Sequence, residues 1–185
     1  ILNRSHRPEW MEAADEARLA RCREILMKLR NRRVRPGWDD KVLADWNGLM
    51  IAAMANAGAA FERPDWTSAA IHAFDFIHGT MNPDGRLIHC RRLGRARPMA
   101  TLDDYANMIR AALTLAEHTG EARFTAAAVG WVAALDAHYL DGTAGGYYFT
   151  ADDADALIVR TKSADDDATP AGNGVMAASL ARLYH

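Results

Sequence analysis

Apolar residues recur along this chain with the spacing of an α-helix, and polar or Gly/Pro-rich segments separate the periodic stretches. The pattern predicts six helices. They are expected at about residues 10–33, 40–60, 64–77, 103–119, 124–138 and from 170 to the end. Pro64 and Pro170 are each predicted at the first helical position, which favours proline because the nitrogen there needs no hydrogen bond.

Two stretches are β-prone instead. Residues 87–90 predict a short strand, and residues 145–150 and 157–160 predict a β-hairpin inserted between helices. Strands do not alternate with helices along the chain, which argues against a doubly wound parallel sheet. The predicted class is therefore all-α, with three helix pairs and a small inserted β-hairpin.

A polar cluster repeats at the start of the second, fourth and sixth predicted helices, in residues 39–41, 102–105 and 169–173. Asp40 and Asp104 are 64 residues apart, and Asp104 and Asn173 are 69 apart. Such even spacing is typical of repeated helical hairpins. If the three helices start at one end of the molecule, the clusters line a single polar mouth, and function is expected there.

Composition narrows the class of protein. The 185 residues are half apolar and one quarter charged, as in one globular domain or a large part of one. The net charge of −2 argues against a nucleic-acid partner, and the basic stretch at residues 18–35 is interpreted as a solvated helix face. No membrane-spanning run or secretory signal is visible, and Cys22 and Cys90 form no motif, so a reducing, cytoplasmic location without a membrane partner is expected.

The aspartates of the first two clusters are the candidate catalytic groups. Asp40 and Asp104 are predicted as an acid/base pair of the kind that cleaves glycosidic bonds. Asp39 and Asp103 are their alternatives, because one residue of each pair can cap the helix while the other points inward. Capping alone also explains both pairs, since an Asp N-cap stabilises a helix by about 1 kcal/mol.

Other residues near the clusters are candidate substrate-binding groups. An aromatic ring beside amides can cover the apolar face of a sugar while the amides bind its hydroxyls, although each such residue also fits a packing role. The candidates are Lys41, Trp46, Asn47, Arg91, Tyr105, Lys162 and Asn173. Of these, Lys41 is also placed to neutralise Asp104. The histidines show no metal-binding spacing, so neither a metal nor a cofactor is predicted.

These same clusters carry a family resemblance. Residues 39–51, 102–106 and 168–173, with 145–147 and 159–162, resemble the C-terminal region of a thioredoxin-domain-containing, spermatogenesis-associated-type family. The resemblance covers roughly residues 35–183. The chain departs from the family pattern at Ala171 and Gly174, where serines are usual, and at Thr161, where proline is usual.

The resemblance implies an (α/α)6 toroid of the six-hairpin glycosidase type, preceded in the family by a thioredoxin-like domain that residues 1–185 lack. The chain would form about half of the ring, with its second, fourth and sixth helices inside. It opens on Ile and stops within a predicted helix, so we expect a fragment whose partners include the remainder of its own chain. Open helix faces on half a ring also predict self-association.

The functional hypothesis is a carbohydrate-active-enzyme-like toroid with a carbohydrate or small-molecule ligand, hydrolase-like if the aspartates are catalytic. A sugar epimerase or isomerase is a weaker alternative, because that chemistry usually uses a histidine pair and no histidine lies at the predicted helix starts. A non-catalytic module that supports a thioredoxin-like domain or docks a partner is the alternative from another class. The sequence leaves open whether the protein is an enzyme.

Overall fold

A computed structural model describes residues 9–155 and 157–184, and the chain divides into two units, Ile1–Asp39 and Asp40–His185. The first unit contains helix α1 (Ala13–Arg30), which is shorter than predicted. None of its residues is buried, so its apolar stripe around Ile25 and Leu29 stays exposed. Lys28 and Arg30 lie in its last turn, where positive charge interacts favourably with the helix dipole.

The second unit contains the other five predicted helices. They are α2 (Ala44–Ala60), α3 (Pro64–Thr80), α4 (Leu102–Thr119), α5 (Ala122–His138) and α6 (Gly172–Tyr184). Helix α4 is central, because it packs against α2, α5 and α6, while α3 packs mainly against α2. Pro64 starts α3 as predicted, and Gly120, with φ of 72°, ends α4 in a left-handed conformation that favours glycine.

Within the second unit, α2 and α6 begin later than the sequence predicts. Val42 and Leu43 form strand β1, so α2 starts at Ala44 and neither Asp39 nor Asp40 caps it. The last helix starts at Gly172 rather than Pro170. Val42 and Leu43 are apolar and continue the helical period of α2. Periodicity alone therefore cannot separate them from that helix.

A small antiparallel sheet is present, but its strands differ from the predicted ones. Strand β1 pairs with β2 (Cys90–Arg92), Val42 opposite Arg91, and β2 pairs with β3 (Arg95–Ala96). The predicted hairpin is wrong for the described part of residues 145–160, which contains no strand. That stretch is held instead by an isolated bridge between Leu140 and Tyr147.

The core lies around α4, which contributes more buried residues than any other helix in the described part of the chain. Phe74 of α3 packs edge-on against Phe124 and at a tilt against Trp131, and both of these partners lie in α5. Helix α2 approaches α4 so closely that a Cβ at Gly48 would lie 2.6 Å from the carbonyl carbon of Asn107. No helix in the described ranges is long and apolar enough to cross a lipid bilayer.

Candidate functional site

The amino-terminal ends of α2, α4 and α6 lie side by side. The backbone N–H of Asp45 in α2 donates to Oδ1 of Asp104 at 3.0 Å, and the N–H of Gly172 in α6 donates to Oδ1 of Asp103 at 3.0 Å. Consecutive aspartates of α4 therefore each hold one neighbouring helix. The prediction that these three helices begin at a common end is confirmed by these contacts.

Asp104 is fully buried, and donors surround its carboxylate. Thr101 is the N-cap of α4 and Asp104 its third residue, which forms a capping box. The N–H and hydroxyl of Thr101 donate to Oδ2 at 2.7 and 2.9 Å, and Nδ1 of His89 lies 3.0 Å from both oxygens. With the Asp45 N–H, these donors occupy both oxygens. Asp104 can orient other groups, but it has no exposed surface for a ligand.

His89 is the basic side chain that contacts Asp104. Its own backbone is fixed between two segments, because its carbonyl accepts from the N–H of Ala44 and its N–H donates to Pro98, each at 2.9 Å. The hydrogen bond to Asp104 raises the pKa of His89. The imidazole is 30% exposed, and its Nε2 makes no hydrogen bond within residues 9–155 and 157–184. A histidine oriented by a carboxylate through Nδ1 is suited to transfer protons at Nε2.

Asp45 and Asp103 flank this pair and are half-buried. Burial is the main cause that raises the pKa of each carboxyl, and the charge of Asp104 adds to the rise. Asp45 accepts the N–H of Trp46 at 2.7 Å, at the exposed start of α2. Both carboxyls therefore hold a proton more readily than a free aspartate, which suits acid/base chemistry.

A cavity of about 260 Å³ opens beside Asp103. Its wall carries the carboxylates of Asp103, Asp165 and Asp167 together with hydroxyl groups from the segment that leads to α6. The hydroxyl-bearing residues are Thr161, Ser163 and Thr169. Such a lining offers many hydrogen-bond acceptors and favours a ligand with several donors.

The aspartates of the first predicted cluster, residues 39–41, do not share the environment of Asp103 and Asp104 in the second. Asp40 is partly exposed and its Oδ1 accepts from Nε of Arg92 at 2.6 Å, a contact that lowers the pKa of Asp40. Asp39 is the last residue of the first unit. Lys41 is exposed, and its charge opposes the rise in the pKa of His89.

The predicted sugar-contact residues separate into exposed and buried groups. The Trp46 side chain is 62% exposed beside Asp45, so its ring is open to a ligand. Asn47 donates through Nδ2 to the carbonyl of Leu43 at 2.8 Å. Tyr105 is fully buried, and its hydroxyl accepts the N–H of Leu87 at 3.0 Å, so it is a core side chain without an open ring face.

The remaining predicted residues form contacts with neighbouring segments of the chain. Asn173 accepts the N–H of Tyr147 at 2.8 Å and donates to the carbonyls of Tyr147 and Ser163 at 3.0 and 2.8 Å. Lys162 donates to the carboxylate of Asp141 at 2.6 Å and to a nearby carbonyl. The Arg91 guanidinium lies 5.4 Å from the ring centre of Phe76. These contacts shape the surroundings of the site.

Within the residues that the structure describes, two side-chain groups have the spacing of metal ligands. Donor atoms of Asp45, His89 and Asp104 lie within 4.8 Å of one another, and so do those of a second group, His138, Asp152 and Asp153. In the first group, Nδ1 of His89 already bonds to Asp104. In the second, the guanidinium of Arg86 binds both oxygens of Asp153. A cation at either place would have to displace these contacts.

The sequence patterns did not point to His89 or Asp45. His89 lies away from the helix starts, and the predicted start of α2 comes four residues before the actual one at Ala44. A signal for His89 was available. It is the histidine of the β-prone run at residues 87–90, and that run lies between the first two polar clusters. Pairing of this run with the segment before α2 would have indicated that His89 lies close to Asp104.

No protein-family model matches the chain. In an alignment of 176 positions that covers 87% of the chain, the chain is 30% identical to human spermatogenesis-associated protein 20. It is 28% identical over 184 residues to an uncharacterised protein of Caenorhabditis elegans. The chain spans only 22% and 24% of the lengths of these two relatives.

Solved structures show the same arrangement of helices. A GH76 α-mannanase from Bacteroides thetaiotaomicron matches with a TM-score of 0.62 at 18% identity, over 80% of this chain and 41% of that one. A cellobiose 2-epimerase from Spirochaeta thermophila matches with a TM-score of 0.62 at 14% identity, over 78% of this chain and 38% of that one. The chain is therefore similar in sequence to spermatogenesis-associated protein 20, and it has the fold of an (α/α) six-hairpin toroid, of which it forms about half.

Proposed function

We propose that the amino-terminal ends of α2, α4 and α6 form one side of a carbohydrate-binding site with acid/base chemistry. The observation that carries the proposal is the His89–Asp104 pair, in which a buried carboxylate fixes an imidazole at the junction of two inner helices. The names of the two solved structures with the same fold, a mannanase and a cellobiose epimerase, make a saccharide the first ligand to test.

Each residue has a distinct proposed role. His89 moves a proton at Nε2, and Asp104 is a positioning residue that fixes the tautomer of His89 and does not touch the substrate. Asp45 and Asp103, whose pKa values are raised, supply the second acid or base. The exposed ring of Trp46 lies beside Asp45 and offers a platform for the apolar face of a sugar.

Two reactions fit these roles. Hydrolysis of a glycosidic bond would use two carboxyls, of which Asp45 and Asp103 are the partly accessible pair. Epimerisation or isomerisation would use His89 to remove a proton next to a carbonyl carbon. Because His89 lies in the site, this reaction is a stronger candidate than the sequence alone indicated. Asp40 and Asp39 stay in the proposal as the competing source of the second carboxylate.

A non-catalytic role is the second candidate, and a specific observation favours it. Every oxygen of Asp104 already accepts hydrogen bonds from the protein, so the cluster also works as a brace between α2 and α4. In that case the helix ends would support an attached domain, such as a thioredoxin-like one, or a bound partner. Saccharide binding separates the two candidates.

The test is calorimetric titration of the chain with mannobiose and with cellobiose, followed by chromatography of the products. The wild type is expected to bind, whereas Asp45→Asn and His89→Gln should weaken binding or turnover by about tenfold or more. Asp75→Asn, which changes an exposed carboxylate paired with Arg123, is the matched control. Released monosaccharide indicates hydrolysis, and a changed disaccharide indicates epimerisation.

Asp40→Asn decides between the two sources of the second carboxylate. If Asp45 supplies it, Asp40→Asn behaves like the control. If Asp40→Asn loses turnover while Asp45→Asn keeps the turnover of the wild type, Asp40 supplies the second carboxylate. Absence of binding to either disaccharide would leave the non-catalytic brace as the better account.

A further inference from the structure

Helix α4 leaves only a narrow stripe of its surface uncovered. Within residues 102–115, Asp103 and Arg110 are the two that are not buried, because α2, α5 and α6 pack around the rest of the helix. The two residues are seven positions apart, which is close to two helical turns. They therefore lie on the same side of α4, about 10 Å apart along its axis. Asp103 belongs to the candidate site, so Arg110 extends that site along the helix.

Arg110 lines a second cavity, of about 370 Å³, between α4 and α6. Pro170 belongs to the wall of this cavity and also to the wall of the cavity beside Asp103, so the two spaces adjoin just before the start of α6. The other polar side chains of the second wall come from Asp166, Ser179 and Arg182. A ligand in the first cavity can therefore reach the second.

The guanidinium of Arg110 is only partly exposed, and it forms neither a hydrogen bond nor an ion pair with residues 9–155 and 157–184. Ser179 of α6 is 1% exposed, and none of these described residues hydrogen-bonds its hydroxyl. A guanidinium has five N–H donors and a permanent charge. Partial loss of water around such a group costs free energy unless an acceptor takes the place of the water. An acceptor for Arg110 is therefore missing from the described chain.

The other charged side chains in the wall of this cavity already have partners. Nε and Nη2 of Arg182 lie 3.1 and 2.8 Å from Oε1 of Glu117. Oδ1 of Asp166 accepts the backbone N–H of Ala171 at 2.9 Å. Arg110 is thus the charged group of this wall that is left to bind a ligand.

These free groups indicate an anion as the ligand. A guanidinium binds carboxylate or phosphate through two parallel N–H···O bonds, which are stronger than hydrogen bonds between neutral groups. The hydroxyl of Ser179 can donate to the same anion. The cavity beside Asp103 has carboxylates and hydroxyls in its wall, which suit sugar hydroxyls and repel an anionic substituent. An acidic saccharide in these two cavities would therefore direct its charged end toward Arg110.

We propose that Arg110 binds an anionic substituent, a carboxylate or a phosphate, of a saccharide whose ring occupies the cavity beside Asp103. The inference rests on the proposed function and adds to it a binding residue and a substrate class, the acidic saccharides. The anion supplies the acceptor that the guanidinium lacks in the free chain. The opposite charges of Asp103 and Arg110 fix the direction in which the ligand lies along α4.

The test compares acidic with neutral sugars by calorimetric titration of the chain. Glucuronic acid carries a carboxylate and mannose 6-phosphate carries a phosphate, and glucose and mannose are their neutral counterparts. The wild type should bind one of the acidic sugars about tenfold more tightly than its neutral counterpart, and the sugar that shows this gain identifies the anion. Raising NaCl from about 0.05 to about 0.5 M should remove most of the gain, because salt screens charge pairs that solvent reaches.

Three variants assign the gain to a residue. Arg110→Gln removes the charge and should bind acidic and neutral sugars equally well, while its Tm stays close to that of the wild type. Arg110→Lys keeps the charge without the two-pronged geometry and should retain only part of the gain. Arg63→Gln is the matched control, because Arg63 is an exposed arginine paired with Asp65 at 2.6 Å, and this variant should keep the full gain.

The outcomes separate this inference from the function on which it rests. If neutral sugars bind and neither acidic sugar binds more tightly, the anion site is wrong and the proposed function stands. A gain that persists in Arg110→Gln also overturns the inference. If inorganic phosphate binds in an Arg110-dependent way and no sugar binds, Arg110 is an anion-binding residue, but the proposed function and the assignment to a saccharide fail. If neither phosphate nor any sugar binds, both proposals fail.

Discussion

At the scale of single residues, the buried carboxylate of Asp104 connects three parts of the chain. Its carboxylate accepts from Thr101, from the first turn of α2 and from His89. Removing such a group leaves several donors buried without an acceptor, which costs more than the loss of one hydrogen bond. The site and the packing of the inner helices therefore depend on the same side chain.

Replacing Asp104 with Ala should lower the free energy of unfolding by about 3–5 kcal/mol, since it leaves the donors around it unpaired. Asp104→Asn, which keeps one acceptor oxygen, should cost less. Urea denaturation followed by circular dichroism measures both. If both variants lowered the free energy of unfolding by the same small amount, Asp104 would not be needed to hold α2 against α4.

The pH dependence of stability tests the His89–Asp104 pair. The folded pKa of His89 lies above its usual 6.5, so the pair contributes stability that is fully present below pH 6.5. This contribution is lost as the pH rises through the folded pKa. In Asp104→Asn the pKa of His89 should fall, which NMR titration of its ring protons detects. An unchanged pKa would show that Asp104 does not interact with the imidazole.

The sequence predicts those site residues whose position depends on neighbours in the chain, and it does not predict those that are placed by contacts between distant segments. Asp103 and Asp104 could be predicted at the start of an inner helix, because their position follows from local periodicity and capping. His89 lies in a β-prone run that the sequence shows, but its position beside Asp104 follows from the pairing of β1 with β2, and local patterns carry no information about which short strands pair.

At the scale of elements, the close contact of α2 with α4 depends on one glycine. A Cβ at Gly48 would lie 2.6 to 2.9 Å from backbone atoms of Asn107 and Met108, and backbone atoms cannot move aside as a flexible side chain can. All six predicted helices exist, but this contact was not predicted, because a run of small residues permits close packing without specifying where it occurs.

Gly48→Ala should lower the free energy of unfolding by about 1–3 kcal/mol, because the added methyl group forces α2 away from α4. Gly130→Ala in α5 is the matched control, since nothing lies within 4 Å of its added Cβ. That control should gain about 0.5–1 kcal/mol from the better helix propensity of alanine. Thermal denaturation measures the Tm of both variants. Similar Tm shifts in the two would contradict the close approach of α2 to α4.

At the scale of the whole molecule, the fold is about half of a toroid, and α2 has apolar residues on nearly all sides. Asp45 is its only charged residue, yet Trp46 and Met50, one turn apart, are 62% and 59% exposed. A helix that is apolar all round is normally covered by neighbours. The repeated clusters predicted helical hairpins and the family resemblance implied the toroid, but the coordinates were needed to show which faces stay uncovered.

We predict that the isolated chain self-associates through this face of α2. Met50→Glu should shift the chain toward the monomer, because a charge cannot be buried in an apolar contact at low cost. Val129→Glu on α5, 54% exposed, is the control and should leave association unchanged. Light scattering after size-exclusion chromatography over a range of concentrations measures both, and a wild-type monomer at high concentration would contradict the prediction.

The two aspartates that hold the neighbouring helices are joined by a single peptide bond. Asp103 is tied to α6 and Asp104 to α2 and to the imidazole. The start of α6 and the imidazole of His89 are therefore connected through one planar peptide unit. We expect a molecule that fills the cavity next to α6 to change the orientation of His89 on the other side of α4.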